Sequence, residues 1–261
     1  MSTIARARPE SRIAAELFRS LLLRNINTRY RGSVLGIFWT LLNPAVMMVI
    51  YTVVFSVIVR IPIQPYALFL LAGLVPWIAF SQGLSTASVS ILANASLVKK
   101  VYFRLELLPL AEVMTAGVNL VISLALVLLG LVVYRRSVDV VWLALPLLVL
   151  LQLVFTGAVG VILSALTCYF RDLEYLLNLA LIAGFYGTPI IFPKSLVPHK
   201  LAPVVQANPL SWLAEAYQSV IFYRHWPEPT PLLGFAAFTL AASILAWLVF
   251  SALRPHLPEE L

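Results

Sequence analysis

The sequence predicts an all-α polytopic membrane protein with six transmembrane helices, and two observations carry this prediction. Apolar residues make up 61% of the 261 residues and charged residues only 11%, whereas a soluble domain carries about 25% charge. Six uncharged segments are each long enough to cross a hydrocarbon core of ~30 Å as a helix that rises about 1.5 Å per residue. These segments, which contain no Asp, Glu, Lys or Arg, are 34–59, 61–98, 113–134, 140–170, 175–193 and 230–253.

The predicted organisation is a single transmembrane domain, residues 34–254, between two cytoplasmic tails at 1–33 and 255–261. The first tail includes an interfacial amphipathic helix, and a segment at 193–230 separates the last two spans. Within the domain the expected spans are about 35–59, 66–88, 107–133, 141–169, 176–192 and 232–253.

The distribution of basic residues predicts the orientation. Six spans place the N-terminus, the second and fourth loops and the C-terminus on one side, and that side holds twelve of the 18 Lys and Arg residues. The positive-inside rule therefore predicts that both termini are cytoplasmic. Nucleic-acid binding is a poor alternative for the net charge of +7, because no basic run with interleaved aromatics stands apart from the membrane flanks.

Residues 12–28 predict a helix that lies on the membrane surface. At 100° per residue, Arg12, Arg19 and Arg24 share one arc, while Leu17 and Leu21 lie on the opposite, apolar side. A basic face opposite an apolar face is typical of an interfacial helix. The alternative interpretation is a soluble helix that packs on another subunit.

Three features are expected along the first three spans. Pro44 should kink span 1 rather than end it, since neighbouring helices can satisfy the freed carbonyl. The small polar residues of 81–90 suit close helix packing. Glu112 should be held by a hydrogen bond or salt bridge, with Lys99 and Arg104 as candidate partners; a proton relay is the weaker alternative, because spans 4 to 6 offer no partner acid.

The segment 193–230 predicts two short re-entrant helices that dip into the outer leaflet. Its six prolines make a continuous spanning helix unlikely to form, and Asn208-Pro209 is a plausible helix start, with Asn as the N-cap. An aromatic set typical of the membrane interface accompanies it. That set is Trp212, Tyr217, Phe222, Tyr223 and Trp226.

The sequence contains no motif that would supply energy or catalysis. It has no G-x-x-x-x-G-K-[ST] phosphate-binding loop, no H-E-x-x-H and no G-x-S-x-G, and its single cysteine, Cys168, excludes an intrachain disulfide. No metal or cofactor is expected in this chain. A six-span protein of this kind most economically belongs to a complex whose partner supplies the energy.

Seven short motifs follow one another in a fixed order along the chain. They are RYRGSVLGIFWTLLNP at 29–44, LAGLVPW at 71–77, LVKKVYF at 97–103, LLP at 107–109, FRDLEY at 170–175, TPIIFP at 188–193 and NPL at 208–210. This ordered set resembles an ABC-2 type permease of the polysaccharide exporter group, which includes the Wzm-like O-antigen, capsule and teichoic-acid transmembrane subunits. One departure is Arg104, where many relatives carry proline.

This resemblance implies the ABC-2, or type V exporter, fold and a homodimer paired with two copies of an ABC ATP-binding subunit, which would bind ATP and Mg. It also implies export of a lipid-linked glycan, on undecaprenyl or another lipid, across the bacterial inner membrane. The exported glycan would be O-antigen, capsular polysaccharide or teichoic acid. Two alternatives are an ABC-2 exporter of small amphiphiles such as drugs or antibiotics, and a membrane enzyme of lipid or glycan assembly.

The resemblance also implies three sets of functional residues. The set expected to contact the ATP-binding subunit is Lys99, Lys100, Tyr102, Arg104, Arg171, Asp172 and Glu174. The set expected to line the substrate path is Trp39, Tyr51, Phe55, Phe185 and Tyr186. The set expected at the exit gate is Trp212, Tyr217, Phe222 and Tyr223. Aromatic rings suit a glycan path because the apolar C–H faces of sugars stack on them weakly and repeatedly.

Overall fold

A computed structural model describes residues 10–30, 39–100, 103–135 and 137–257, and these residues form helices without any strand. In chain order the α-helices of this described part are α1 (Glu10–Tyr30), α2 (Trp39–Thr52), α3 (Tyr66–Ser88), α4 (Ser90–Ala93), α5 (Ala95–Lys100), α6 (Leu107–Arg135), α7 (Leu145–Tyr169), α8 (Leu173–Gly187), α9 (Ala202–Ala207), α10 (Pro209–Gln218) and α11 (Pro229–Leu253).

Four helical stretches are long and apolar enough to cross a membrane. They correspond to the second, third, fourth and sixth predicted spans, so the sequence located these four within a few residues of their observed ends. The stretches are Tyr66–Ser88, Leu107–Val133, Val140–Tyr169 and Pro229–Leu253.

The first predicted span is a shorter apolar helix, and its form differs from the prediction. Helix α2 passes through Pro44 without ending. It then widens into a π-helical segment at Val53–Ile58. The predicted start of the span, at residue 35, lies outside the described residues.

The fifth predicted span, 176–192, begins and ends earlier than expected. Helix α8 has 15 residues, or about 22 Å of helix, and it ends at Gly187 because Thr188 precedes a proline. The ring of Pro189 disfavours the α conformation at the preceding residue, and Thr188 is extended, with φ −111° and ψ 140°. The prediction from hydrophobicity alone missed this break, since residues 188–192 are still apolar.

Helix α3 forms the centre of the bundle, and small residues let its neighbours approach it closely. In α3, 61% of the most apolar 18-residue window is buried, against 17% in α11. A Cβ on Gly83 would lie 3.1 Å from the Cβ of Ala116, and one on Gly160 would lie 3.0 Å from the Cβ of Ala87. The expectation that 81–90 supports close helix packing is therefore confirmed.

The N-terminal helix α1 is present as predicted, and its apolar side packs on this chain's own bundle. Leu21 is buried, and Leu17 and Phe18 pack beside it against one end of the bundle. Arg12 and Arg19, on the predicted polar arc, are exposed. Helix α6 of the same chain supplies a large part of this contact, and the position of α1 on the membrane surface stays a prediction.

The charged turns lie together at one end of the bundle, which we call the basic end. A buried cluster at this end joins α1, α5, the start of α6 and the ends of α7 and α11. Its members include Leu21, Val98, Leu105, Cys168 and Phe250. The loops that the sequence assigned to one side of the membrane are therefore neighbours in space.

Candidate functional site

Four of the five residues predicted for the substrate path form one aromatic group between α2 and α8. The ring centroids of Tyr51 and Phe55 are 6.1 Å apart, those of Tyr51 and Phe185 are 5.6 Å apart, and those of Phe185 and Tyr186 are 5.3 Å apart. Trp39 is exposed at the start of α2 and makes no ring contact with another described aromatic side chain. The structure thus groups these four residues and leaves Trp39 apart.

This group borders an open groove of about 600 Å³, which we call the aromatic groove. Aromatic, aliphatic and polar side chains line its walls, and the sequence had indicated only some of the rings. Trp77 ends the LAGLVPW motif, and the sequence predicted no role for it. Its ring centroid lies 5.8 Å from that of Phe185. The polar side chains that line the groove are Asn43, Ser81, Gln82, Ser85 and Asn178.

The aromatic groove can bind a carbohydrate weakly at many points. Ring faces such as those of Tyr51 and Trp77 suit the apolar faces of sugars. The amides of Asn43, Gln82 and Asn178 supply both donors and acceptors for hydroxyl groups. Because each of these contacts is weak, a bound sugar chain can slide along the groove.

Two aromatic residues that sequence reasoning missed, Tyr66 and Phe69, connect the groove aromatics to those expected at the exit gate. Phe55 lies 6.3 Å from Tyr66, which lies 6.2 Å from Phe69. Phe69 contacts Phe222 edge-on at 5.5 Å, and Phe222 lies 4.8 Å from Tyr223. A continuous aromatic array therefore joins α2, α3 and the segment after α10.

Hydrogen bonds position α10, the second short helix of the segment 193–230. The side chain of Asn208 accepts a hydrogen bond from the backbone N–H of Leu210 at 3.0 Å, with Pro209 at the first helical position, as predicted. Asn208 Nδ2 also donates to Thr188 Oγ1 at 3.1 Å. Gln218, at the other end of α10, donates from Nε2 to the carbonyl of Pro189 at 2.9 Å. Both ends of α10 are therefore bonded to the chain just after α8.

Of the aromatic residues expected at the membrane interface, Tyr217 lies inside the protein instead, and Trp212 packs partly against α11. Tyr217 is fully buried in the main core. Trp212 is half-buried, donates from Nε1 to the carbonyl of Gln206 at 2.7 Å, and packs against Gly234 of α11. The reason is that one side of α10 packs on α3, α7 and α11. Of the interface set, Tyr223 and Trp226 are exposed.

One ion pair holds this segment to the turn before α7, at the end opposite the basic end, and another lies within the segment. Arg224, which has a left-handed backbone with φ 61°, donates a hydrogen bond to Asp139 in the turn before α7. This bond stabilises the charged guanidinium and raises the pKa of Arg224. Lys194 donates to Glu215 at 3.1 Å.

The residues expected to contact an ATP-binding subunit lie at the basic end. Lys99 and Lys100 are exposed in the last turn of α5, and Arg171 and Asp172 are exposed in the turn between α7 and α8. Glu174 is exposed in the first turn of α8. These residues form a short charged surface on rigid helix ends.

Arg104 and Tyr102 are the two remaining members of this expected set. Arg104 donates from Nε to Glu106 Oε1 at 2.7 Å and is otherwise exposed. Tyr102 lies outside the described residues.

These features define an integral membrane protein of transporter type, with a polar and aromatic groove inside a bundle of apolar helices. The family model for the ABC-2 type transporter matches residues 16–222. The chain belongs to the ABC-2 type transporter family.

The relatives cover almost the whole chain. An O-antigen export system permease protein of Myxococcus xanthus is 33% identical over 96% of this chain and 99% of its own length. One of Klebsiella pneumoniae with the same name is 30% identical over 91% of this chain and 92% of its own length. A polysialic acid transport protein of Escherichia coli is 27% identical over 85% of this chain and 87% of its own length.

Proposed function

We propose that this chain is the transmembrane permease subunit of an ATP-driven exporter that moves a lipid-linked polysaccharide across the bacterial inner membrane. The observation that carries the proposal is the end-to-end similarity to a relative named as an O-antigen export permease. The aromatic groove supports it, because rings and amides on one wall suit a hydrated sugar chain. Export of small amphiphiles finds no support in the names of the relatives described above.

The proposed assembly is a homodimer of this chain with two copies of an ABC ATP-binding subunit that binds ATP and Mg. Family membership supports an ATP-binding partner, and the sequence of this chain has no phosphate-binding loop of its own. The exposed residues Lys99, Arg171 and Asp172 would contact that partner, since charges on short, stiff turns transmit a rigid-body movement.

The proposed topology has six spans and cytoplasmic termini. Helix α2 with its π-helical extension, and α8 with the extended residues after it, would complete the membrane crossing as spans 1 and 5. The charge distribution supports placing the basic end in the cytoplasm. The segment 193–230 would then lie in the outer leaflet, where its short helices and exposed aromatics suit the headgroup region.

The proposed route of the glycan follows the aromatic groove and leaves past Phe222 and Tyr223. Tyr51, Phe185 and Tyr186 line the groove, and Tyr223 is exposed in the segment after α10. The buried rings of Tyr66 and Phe69 support this route by holding the groove and that segment together. A second copy of the chain would supply the facing wall.

Gene deletion tests the function. A bacterium that lacks this chain should retain lipid-linked glycan on the cytoplasmic side, and its cell-surface polysaccharide should disappear on gels of extracted glycans. Re-expression of the chain should restore the surface polysaccharide. Unchanged surface polysaccharide together with a new sensitivity to amphiphilic drugs would contradict the proposal and support the small-amphiphile exporter.

A purified-protein assay separates the permease from the membrane enzyme. The chain alone should hydrolyse no ATP and convert no lipid-linked glycan, and ATP hydrolysis should need the partner subunit. Turnover of a glycan substrate by the isolated chain would contradict the assignment.

A further inference from the structure

A second groove lies on the bundle surface, away from the aromatic groove. It has a volume of about 610 Å³ and lies between α6, α7 and α11. Apolar side chains such as Met114, Leu150, Val154 and Trp247 line most of it. It shares no lining residue with the aromatic groove, which α2, α3 and α8 form. The proposed transport route does not use it.

The charged residues of this second groove are confined to one end. Arg104, Glu106 and Arg254 line the groove at the basic end. Arg104 uses Nε for its bond to Glu106. Arg254 forms no ion pair or side-chain hydrogen bond with another residue that the structure describes. Among the described residues that line the groove, two guanidinium groups and one carboxylate give a net charge of +1.

The length of the groove matches one leaflet of a membrane. On α7 its lining runs from Leu150 to Val161, and on α11 from Ser243 to Arg254, which is about 16 Å of helix in each case. Half of a hydrocarbon core of ~30 Å is about 15 Å. An acyl chain that crosses one leaflet therefore matches the groove in length.

We propose that this groove binds an anionic glycerophospholipid of the leaflet at the basic end, with its phosphate against Arg254 and Arg104 and an acyl chain along Leu150, Val154 and Trp247. The groove is cationic at one end and apolar along most of its length. An anionic phospholipid is likewise charged at its headgroup and apolar along its acyl chains. Basic pockets between transmembrane helices on the cytoplasmic side bind anionic headgroups in this way. The net charge of +1 complements the single negative charge of phosphatidylglycerol.

The site has a structural consequence for the bundle. Helix α11 is the least buried of the four long spans, and its groove-facing residues Trp247 and Phe250 lie beside α7 and α6. A bound acyl chain would fill the space between these helices. The lipid would therefore hold α11 to the bundle as an additional packing element.

Native mass spectrometry of the full chain in detergent, titrated with phosphatidylglycerol, tests the headgroup contact. Arg254→Gln should raise the Kd for phosphatidylglycerol about fivefold, the effect of one basic residue near an anionic headgroup. The matched control is Arg171→Gln, which removes an exposed arginine at the same end outside the groove and should change binding little. Equal binding by the wild type and Arg254→Gln would overturn the proposal.

A second pair of variants tests the acyl-chain contact. Val154→Trp should fill the groove and reduce phosphatidylglycerol binding, whereas Leu147→Trp, on the same helix beyond the groove, should not. If Val154→Trp binds lipid normally, the lipid lies elsewhere and the proposal is wrong. If Val154→Trp instead converts a dimer to a monomer on a sizing column without changing lipid binding, the groove is an interface between copies, which also overturns it.

Discussion

Asn25 donates a hydrogen bond from Nδ2 to Oε1 of Glu112 at 2.8 Å, and this contact joins the N-terminal helix to the first turns of α6. Residues 87 positions apart thus connect the surface helix to the membrane bundle. The sequence predicted a hydrogen-bonded or salt-bridged helix end at Glu106 and Glu112, with Lys99 or Arg104 as partner, and it did not indicate Asn25. Arg104 pairs with Glu106. The link gives the N-terminal helix a fixed position on the bundle.

Replacement of Asn25 by alanine should therefore loosen α1. The carboxylate of Glu112 would lose a donor in a partly buried site, which costs ~1–3 kcal/mol. Thermal unfolding in detergent should show a lower midpoint for Asn25→Ala. Asn27→Ala, at an exposed position on the same helix, serves as the control. Equal midpoints for the two variants would show that the contact contributes no stability.

The cap at Asn208 should determine the order of α10. Asn208→Ala removes the acceptor for the Leu210 N–H, and the loss of such a cap costs ~0.5–2 kcal/mol. Hydrogen exchange of residues 209–223 should become faster. Asn208→Asp keeps the acceptor but cannot donate to Thr188 Oγ1, so it should give an intermediate rate. If both variants exchange as the wild type does, the cap is unimportant.

The double variant Tyr51→Ala/Phe55→Ala should lower glycan export while the complex with the ATP-binding subunit and its basal hydrolysis persist. It removes two adjacent rings of the aromatic array. Phe238→Ala is the matched control, because Phe238 is a partly exposed ring on α11 that contacts Phe155 away from the groove. Surface glycan, quantified per assembled complex, is the measurement. Normal export by the double variant would exclude these rings from the path.

Charge reversal at the turn between α7 and α8 should uncouple hydrolysis from transport. Arg171→Glu/Asp172→Lys should remain in the membrane, yet ATP hydrolysis in the complex should no longer yield surface glycan. Arg60→Glu changes an exposed charge between α2 and α3 and should leave coupling intact. Normal export by the double variant would remove these residues from the contact surface.

The topology predicts one-sided labelling of cysteines. Lys200→Cys, in the exposed turn before α9, should react with an impermeant thiol reagent added to intact cells whose outer layers admit it. The native Cys168 is buried and should not compete. Arg171→Cys should react only after the inner membrane is opened. Labelling of Lys200→Cys only from the cytoplasmic side would reverse the topology.

Local signals in the sequence were sufficient where neighbours along the chain decide the structure. The cap at Asn208 follows from residues a few positions apart. The uncharged stretches likewise located the four long spans, because bilayer thickness sets their length.

The features that the sequence did not predict depend on contacts between elements that are far apart in the sequence. Tyr217 resembles an interfacial aromatic in sequence, but α10 packs against three other helices and buries it. Tyr66 and Phe69 complete the aromatic array only because α3 carries them between α2 and the segment after α10. The hydrophobic periodicity of a single helix cannot show that residues from three elements are in contact.

The position of Gln218 has a consequence for how the protein is made. Its amide is buried, donates to the carbonyl of Pro189, and lies where a side chain at Gly73 would obstruct it, 3.2 Å from a Cβ there. A buried polar group without a partner costs ~1–3 kcal/mol, so Gln218 needs the carbonyl of Pro189 in order to pack beside Gly73 of α3. Chains are synthesised from the N-terminus, and both Gly73 and Pro189 precede Gln218. The groups that receive this amide are therefore made before the amide itself.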